Sequence, residues 1–248
     1  MDLGLTGTVA LVTGASAGLG RAIAAELAAE GAVVAIASRS RARIDAAADE
    51  TGAEGFVWDS DDVNGARGLL DAVAAAFGPV GVLVANTGGP PFGDPLGFTR
   101  AQWEAAYRSL VLAPMALVEH ALPGMRARGF GRVINVASTS LREPIGGLML
   151  SNSHRAAMVT AFKTIATEVA AEGVTLNTLL PGSFATARIL DSGPRARIDE
   201  DARRTIPIQR LGEPAEFAAV AAFLCSPRAS YITGETIAVD GGKTRSVF

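Results

Sequence analysis

Serine and arginine side chains suit an oxygen atom that gains or loses negative charge, and the second half of the chain has several, among them Ser138, Ser151 and Arg155. A serine hydroxyl can donate a hydrogen bond to a carbonyl or alkoxide oxygen, and a guanidinium stabilises negative charge there. Ser151 and Arg155 are four residues apart, so on a helix they would share one face. Because a serine hydroxyl is a weak acid and arginine is not a base at neutral pH, ordinary acid–base catalysis would need a further group.

A glycine-rich segment near the start of the chain has the composition of a phosphate-binding turn. It reads TGASAGLG over residues 13–20, between an apolar run and a helical pattern. Glycines let a backbone turn tightly and approach a ligand closely, and the N-terminus of the following helix attracts a pyrophosphate. The alternative is a tight turn with a purely structural role. We expect dinucleotide binding, with contacts from the following residues: Gly14, Ser16, Gly18, Leu19 and Gly20.

The elements that must position these residues alternate between strand and helix. Apolar runs predict strands at residues 8–13, 32–37, 55–58, 80–85, 132–137, 174–180 and 236–239. Helical patterns predict helices at residues 18–30, 41–51, 62–77, 100–128 (with a kink at Pro114), 151–172 and 214–225, and a loop with one short helix at 181–206. This alternation predicts a doubly wound α/β fold, in which helices cover both faces of a parallel sheet. We find no domain boundary within residues 1–248.

Further motifs follow the glycine turn in the order found in one known family. They are Asn86-Thr87-Gly88, GRVINVAS at 131–138, Asn177 to Gly182 (NTLLPG) followed by Thr186, PIQRLGEP at 207–214, YITG at 231–234 and VDGG at 239–242. Together they cover nearly the whole chain, which resembles the short-chain dehydrogenase/reductases. The resemblance implies a single-domain Rossmann fold with seven parallel strands. It implies NAD(P)(H) contacts from Asp59, Asn86, Gly88, Arg155, Pro181, Gly182 and Thr186.

The resemblance also implies a lid and an oligomer. Residues 187–206 would form a lid over the substrate. In this family the two long helices pair across two-fold axes, which predicts a homotetramer. We expect four apolar residues of those helices to face outward: Val111, Met115, Val159 and Phe162.

The end of the second predicted strand bears on the choice of cofactor. Sites that prefer NAD often have an acidic residue there, which binds the ribose 2′-hydroxyl. This chain instead has Ser38, Arg39 and Ser40, and Arg39 could pair with a 2′-phosphate. Arg43 would add positive charge nearby. We therefore expect NADP(H) rather than NAD(H), although Arg39 and Arg41 could instead be solvated residues at the start of a helix.

Of the four catalytic residues of the family, the serine is kept at Ser138 and the other three are replaced. Where the family has a tyrosine and, four residues later, a lysine, this chain has Ser151 and Arg155; Leu110 stands where it has an asparagine. A branch named 3-oxoacyl-carrier-protein reductase-like has this Ser-x-x-x-Arg pattern with the Gly-Gly-Pro-Pro loop found here at 88–91, and the chain resembles it. Arg155 would still hold the nicotinamide ribose and stabilise an alkoxide.

Three other side chains are candidates for the missing proton donor. His154 has a suitable pKa range, but it could equally be a surface or subunit-contact histidine. Tyr107 could point inward, or it could be a packing aromatic. Glu143 could act as an acid, although a salt bridge with Arg142 or Arg155 is the more ordinary role for it.

Composition narrows the functional classes. A net charge of −3 and a pI near 5.5 argue against a nucleic-acid partner. The one cysteine, Cys225, is expected in the core, with no disulfide and no metal site. No signal peptide or membrane-length apolar run is evident, so we expect a cytoplasmic protein.

Two functions remain open at this point. The first is an NADP(H)-dependent oxidoreductase acting on a small-molecule carbonyl or secondary alcohol, including 3-oxoacyl-like compounds. The second is a catalytically idle dinucleotide-binding protein, which would serve as a sensor or scaffold subunit.

Overall fold

The apolar runs of the sequence form parallel strands. In the computed structural model, which describes residues 1–247, the strands are β1 (Val9–Thr13), β2 (Val33–Ser38), β3 (Glu54–Val57), β4 (Val82–Ala85), β5 (Gly131–Val136), β6 (Val174–Pro181) and β7 (Thr236–Val239). They lie in the order β3-β2-β1-β4-β5-β6-β7, and neighbouring strands are all parallel. The predicted doubly wound, seven-stranded sheet is confirmed.

Helices cover both faces of this sheet. Over the described residues they are α1 (Gly18–Ala29), α2 (Arg41–Thr51), α3 (Gly65–Phe77), α4 (Arg100–Tyr107), α5 (Ala113–Ala127), α6 (Met149–Val169), α7 (Ala187–Leu190), α8 (Arg195–Thr205) and α9 (Pro214–Cys225). The third helix begins three residues later than predicted. Asp62 lies before the helix, and its carboxylate accepts a hydrogen bond from the N–H of Gly65, the first helical residue.

Two hydrophobic cores, one on each face, explain why the strands are continuously apolar. In β1, Ala10 and Val12 belong to the core that includes residues of α1 and α9, whereas Val9 and Leu11 belong to the core of α3, α5 and α6. Successive side chains of a strand point to opposite faces, so a strand buried on both faces needs an apolar residue at every position. Cys225 is fully buried in the first core, as the sequence predicts.

The helix expected over residues 100–128 is continuous from Arg100 to Ala127 but contains a π turn just before Pro114. One π-helical turn, Arg108–Leu112, separates α4 from α5. Pro114 has no N–H, and in a regular α-helix its ring would clash with the carbonyl of Leu110, four residues earlier. The wider π turn, in which the N–H of Ala113 bonds to the carbonyl of Arg108, accommodates the proline.

The prediction of outward apolar residues on the long helices is wrong at two of its four positions. Val111 and Phe162 are buried in the core of α3, α5 and α6, and Met115 is partly buried against it. The π turn and α4 pack against α6, so this helix is covered on more than its sheet-facing side. Apolar periodicity alone does not distinguish that second contact from a subunit interface.

The region between β6 and α9 contains two helices instead of the one short helix expected. α7 and α8 enclose a small core of their own, whose buried members are Ala202, Ile206 and Leu211. The helix predicted over residues 151–172 is α6. It starts two residues earlier than predicted, at Met149, so Ser151 and Arg155 lie in its first two turns.

Two general features of the described residues bear on partners. No helix within residues 1–247 is both long enough and apolar enough to cross a lipid bilayer. Over the same residues, no cluster of three or more His, Cys, Asp or Glu side chains could hold a metal ion.

Candidate functional site

The glycine turn after β1 is fixed to the end of β4. Asn86 donates a hydrogen bond from its side-chain amide to the carbonyl of Gly14 over 3.0 Å, and the Thr13 hydroxyl donates to the carbonyl of Asn86 over 2.9 Å. Gly14 has a φ of +58°, and a Cβ there would lie 2.6 Å from that same Asn86 carbonyl oxygen. The strand order reverses between β1 and β4, and ligands of such sheets bind outside the strand ends at that point.

The start of α1 is built to receive an anion. Ala17 precedes the helix and has no side-chain oxygen to cap it, so the first N–H groups remain available to a ligand. A Cβ at Gly20 would lie 2.5 Å from the carbonyl oxygen of Gly14, so only glycine lets the helix pack this closely on the turn.

A cleft of about 410 Å³ extends from this turn across the ends of β2 and β3. Its lining includes five residues predicted to bind the cofactor or to add charge: Gly14, Ser16, Arg39, Arg43 and Asp59. Arg41 lies outside it and forms an ion pair with Asp45. The hydroxyl of Ser38, at the end of β2, is buried in the wall of the cleft and has no hydrogen-bond partner among the described residues.

A second cavity of about 470 Å³ continues on the other side of the turn. It shares Asn86, Thr87, Gly88 and Gly89 with the first, so the two are ends of one cleft. It brings together most of the remaining predicted residues: Gly18, Leu19, Ser138, Ser151, Arg155, Pro181, Gly182 and Thr186. Gly20 lines neither end. Gly182 also allows a close approach, since a Cβ there would lie 2.6 Å from that of Asp240.

Ser151 and Arg155 form a hydrogen-bonded pair in the wall of the second cavity. The Arg155 Nε donates to the Ser151 hydroxyl oxygen over 3.2 Å, and its Nη1 donates to the carbonyl of Val136 over 2.6 Å. Burial, with a smaller contribution from the charge of Arg188, lowers the pKa of Arg155 to about 10. The guanidinium therefore remains charged at neutral pH.

Ser138 is arranged in a similar way. Its hydroxyl oxygen accepts a hydrogen bond from the N–H of Ser140 over 3.1 Å. Each of the two catalytic candidates, Ser138 and Ser151, thus accepts from a donor in the protein, which leaves its own hydroxyl hydrogen to be directed at a ligand oxygen. Two such donors and a nearby cation are what stabilises negative charge on an oxygen.

None of the three alternative proton donors lines the second cavity. His154 is 8% exposed rather than on the surface; its Nδ1 bonds to the carbonyl of Leu150, and its ring lies 5.3 Å from that of Trp103. Tyr107 is 46% exposed and does not point inward. The π turn Arg108–Leu112 directly follows Tyr107 and changes the helical phase relative to that of a regular α-helix.

Glu143 does not form the expected salt bridge either. Its carboxylate accepts hydrogen bonds from the backbone N–H groups of Arg245 and Ser246, while Arg142 donates to the carbonyl of Thr236. Leu110, where the family has an asparagine, is 2% exposed and lies outside both ends of the cleft.

Two residues that the sequence analysis missed line the second cavity, Arg188 and Lys243. Arg188, on α7, reaches across to Gly89 and places its guanidinium carbon 5.9 Å from the centre of the Phe92 ring. The Lys243 ammonium donates to the hydroxyl of Ser183 over 3.2 Å. A signal existed for both: Arg188 follows Thr186 by two residues, and Lys243 directly follows the Gly-Gly motif of 241–242.

Comparison with known proteins gives this cleft a family. The sequence profile described as enoyl-(acyl carrier protein) reductase matches residues 14–244. The chain is 34% identical over 244 residues to the human protein named dehydrogenase/reductase SDR family member 4, covering 96% of this chain and 88% of that protein. The chain belongs to the short-chain dehydrogenase/reductase family. Membership supports the expectation of an enzyme, since the short-chain dehydrogenase/reductases are NAD(P)-dependent oxidoreductases.

Two further members of the short-chain dehydrogenase/reductase family are similar over their full lengths. A 3-oxoacyl-(acyl-carrier-protein) reductase of Vibrio cholerae is 35% identical over 245 residues, covering 97% of this chain and 98% of that one. The crystal structure of L-sorbose reductase from Gluconobacter frateurii, complexed with NADPH and L-sorbose, superposes with a TM-score of 0.93 at 31% identity and covers both chains completely.

Proposed function

We propose that this short-chain dehydrogenase/reductase uses NADP(H) and interconverts a carbonyl compound and a secondary alcohol with a remodelled catalytic site. Ser138 matches the family's own catalytic serine, and Ser151 and Arg155 take the place of its tyrosine and lysine. The observation that carries the proposal is that the Ser151–Arg155 pair lies in the same cleft as the glycine turn.

The first end of the cleft fits the adenosine part of NADP(H). Arg39 and Arg43 supply positive charge for a 2′-phosphate, and the unpartnered Ser38 hydroxyl supplies a further donor. Asp59 would bind the adenine amino group. L-sorbose reductase, which has a similar fold, was solved with NADPH. These features favour NADP(H) over NAD(H).

The glycine turn and the second cavity fit the rest of the cofactor. Gly14, Ser16, Gly18 and Leu19 would cradle the pyrophosphate at the start of α1. The nicotinamide half would be held by a second group: Asn86, Gly88, Arg155, Pro181, Gly182 and Thr186. When bound, NADPH supplies the hydride that reduces the carbonyl carbon and is itself oxidised to NADP⁺.

The residues of the chain then act on the substrate oxygen. The hydroxyls of Ser138 and Ser151 donate hydrogen bonds to it, and Arg155 stabilises the negative charge that develops as the hydride arrives. The Ser151 hydroxyl passes a proton to the resulting alkoxide and is reprotonated from water. Because this replaces a dedicated acid, whose contribution is roughly 100- to 10,000-fold, we expect slower turnover than in relatives with the usual tyrosine.

The test is NADPH oxidation with a panel of ketones and 3-oxoacyl thioesters, using matched serine variants. Ser151→Ala and Ser138→Ala should each lower kcat by about 100-fold, the usual effect of losing one such donor. Ser153→Ala is the matched control, since Ser153 is on the same helix, donates to the Met149 carbonyl and lines neither end of the cleft. Equal effects of all three variants would contradict the assignment.

A second candidate function follows from what the second cavity lacks. Among the residues described, no Asp, Glu, His, Tyr or Cys lines it, which favours a catalytically idle dinucleotide-binding protein acting as a sensor or scaffold subunit. The double variant Ser151→Tyr/Arg155→Lys separates the two. If the native protein is idle, it has no turnover and the double variant gains some. If the native protein is a remodelled enzyme, it has turnover and the double variant loses part of it.

We also propose that residues 187–206 form the substrate lid and that the protein is a homotetramer. The lid is supported by Arg188, which extends from α7 over the second cavity. The tetramer is supported by family membership and by the exposed side chains of Tyr107 and Leu112, which lie at the two ends of the π turn. Light scattering tests the assembly, and a monomer would contradict it.

A further inference from the structure

The second cavity is lined by three cationic side chains, Arg155, Arg188 and Lys243, and by no carboxylate among residues 1–247. From this arrangement we infer that the substrate carries an oxyanion, a carboxylate or a phosphate, next to its reactive carbonyl or alcohol. Arg188 and Lys243 bind that group. The inference rests on the proposed function, because it names the substrate class of the same site.

The concentration of charge is local. The chain as a whole is acidic, with a net charge of −3. Over the described residues, none of the three cations forms an ion pair with Asp or Glu, whereas arginines elsewhere, such as Arg126, Arg195 and Arg210, do. Like charges collected in a partly desolvated cavity repel each other, and a bound anion removes that repulsion.

The three cations have different remaining capacities for a ligand. Arg155 already donates to Ser151 and Val136, which orients it toward the reacting oxygen. Arg188 lies over the Phe92 ring, with its guanidinium carbon 5.9 Å from the ring centre, and its guanidinium carries N–H donors that suit an oxyanion. Lys243 donates to Ser183 and retains further N–H donors.

The rest of the cavity wall indicates what the anion is attached to. Its apolar lining includes the side chains of Phe92, Ile145, Leu148 and Ile189. A substrate with an apolar chain and one terminal oxyanion would bury the chain against these residues. A wholly neutral ketone would give Arg188 and Lys243 no counter-charge from the substrate.

The test measures binding to the protein loaded with NADP⁺, which cannot reduce a ketone, so it does not depend on turnover. The probes are two pairs: 2-oxooctanoate with its methyl ester, and dihydroxyacetone phosphate with dihydroxyacetone. We expect one anion of the two to bind at least about tenfold more tightly than its neutral partner, and the pair in which this occurs identifies carboxylate or phosphate. Equal affinities within both pairs would overturn the inference.

Charge-removing variants assign the effect to residues. Arg188→Gln and Lys243→Gln should each reduce anion binding by about fivefold or more and leave the neutral probe unchanged. Arg197→Gln is the matched control, because Arg197 is an exposed arginine of the same region that lines neither end of the cleft. Melting temperatures would verify that each variant is folded.

Two outcomes distinguish a failure of this inference from a failure of the proposed function. If Arg188→Gln and Lys243→Gln weaken NADPH itself while the anion preference persists, the cations belong to the cofactor and the inference is wrong. If the anion is preferred and the variants abolish that preference, but no probe or panel compound is reduced, the anion site stands and the proposed oxidoreduction fails.

Discussion

Arg155 donates a hydrogen bond to the hydroxyl oxygen of Ser151, one turn earlier on α6. This bond places the positive charge of the guanidinium beside Ser151, the residue that stands where the family has its tyrosine. The pair is a single unit, because the guanidinium both orients the hydroxyl and stabilises charge beside it. Its chemistry differs from that of a tyrosine–lysine pair, because a serine hydroxyl is a far weaker acid than a phenol.

The pH dependence of this unit should lie in the alkaline range. Burial and the nearby Arg188 lower the pKa of Arg155 to about 10, so its positive charge is present below that pH and is lost as the pH rises through it. We expect NADPH binding and turnover to be constant between about pH 7 and pH 9 and to fall above about pH 10. The Arg155→Met variant should bind NADPH more weakly and turn over more slowly at every pH, and its pH profile should lack the fall above about pH 10. A step near pH 6 to 7 would instead indicate a histidine.

Removing Arg39 should change the choice of cofactor. Arg39→Ala is expected to weaken NADPH binding by about tenfold or more through loss of a charge-assisted contact, with little effect on NADH. Fluorescence titration with both cofactors measures the ratio. Arg41→Ala is the control, since Arg41 is paired with Asp45 outside the cleft. A parallel loss for both cofactors would argue against a 2′-phosphate contact.

The glycine turn should not accept a side chain. At Gly14 an alanine would have an unfavourable φ of +58° and a Cβ 2.6 Å from the Asn86 carbonyl oxygen, so Gly14→Ala should lower NADPH affinity by at least about tenfold. Gly68→Ala is a contrasting control. Gly68 lies exposed within α3 with nothing within 4 Å of its Cβ position, so that variant should gain about 0.5–1 kcal/mol of stability. Cofactor titration and thermal unfolding report the two effects.

His154 should prove structural rather than catalytic. Its ring packs against Trp103 and its Nδ1 bonds to the Leu150 carbonyl, away from the second cavity. His154→Gln should therefore cost about 1 kcal/mol of unfolding free energy and leave kcat unchanged. Denaturant unfolding and steady-state kinetics on the same preparation give both values; a large fall in kcat with stability retained would restore His154 as a proton donor.

Cys225 should be inert in the folded protein. It is fully buried, and burial raises the pKa of its thiol to about 12, so almost no thiolate forms at neutral pH. A chromogenic disulfide reagent should react only after unfolding, with one equivalent per chain. Rapid labelling of the native protein would show that α9 opens without global unfolding.

The fold could be predicted from the sequence wherever a position accepts only one type of residue. The positions of Gly14 and Gly20 admit no side chain, and strands such as β1 are apolar throughout because both faces are covered. Such constraints are local and can be recognised from spacing alone.

The parts that were missed depend on contacts between distant segments. Arg188 and Lys243 lie 55 residues apart in sequence and share one cavity only because α7 and the chain after β7 pass the same strand ends. Phe162 was predicted to face outward because its periodicity does not reveal that a second helix covers it. The π turn reflects a change of hydrogen-bond register near Pro114 that no pattern of apolar residues encodes.

The hydrogen bond from Asn86 to Gly14 joins residues 72 positions apart. The phosphate cradle is therefore incomplete until β4 has docked beside β1, however early the glycine segment leaves the ribosome. A nascent chain that ends within β3 would contain the whole glycine motif and yet lack a working cradle. Cofactor binding therefore requires that the two halves of the sheet have already met.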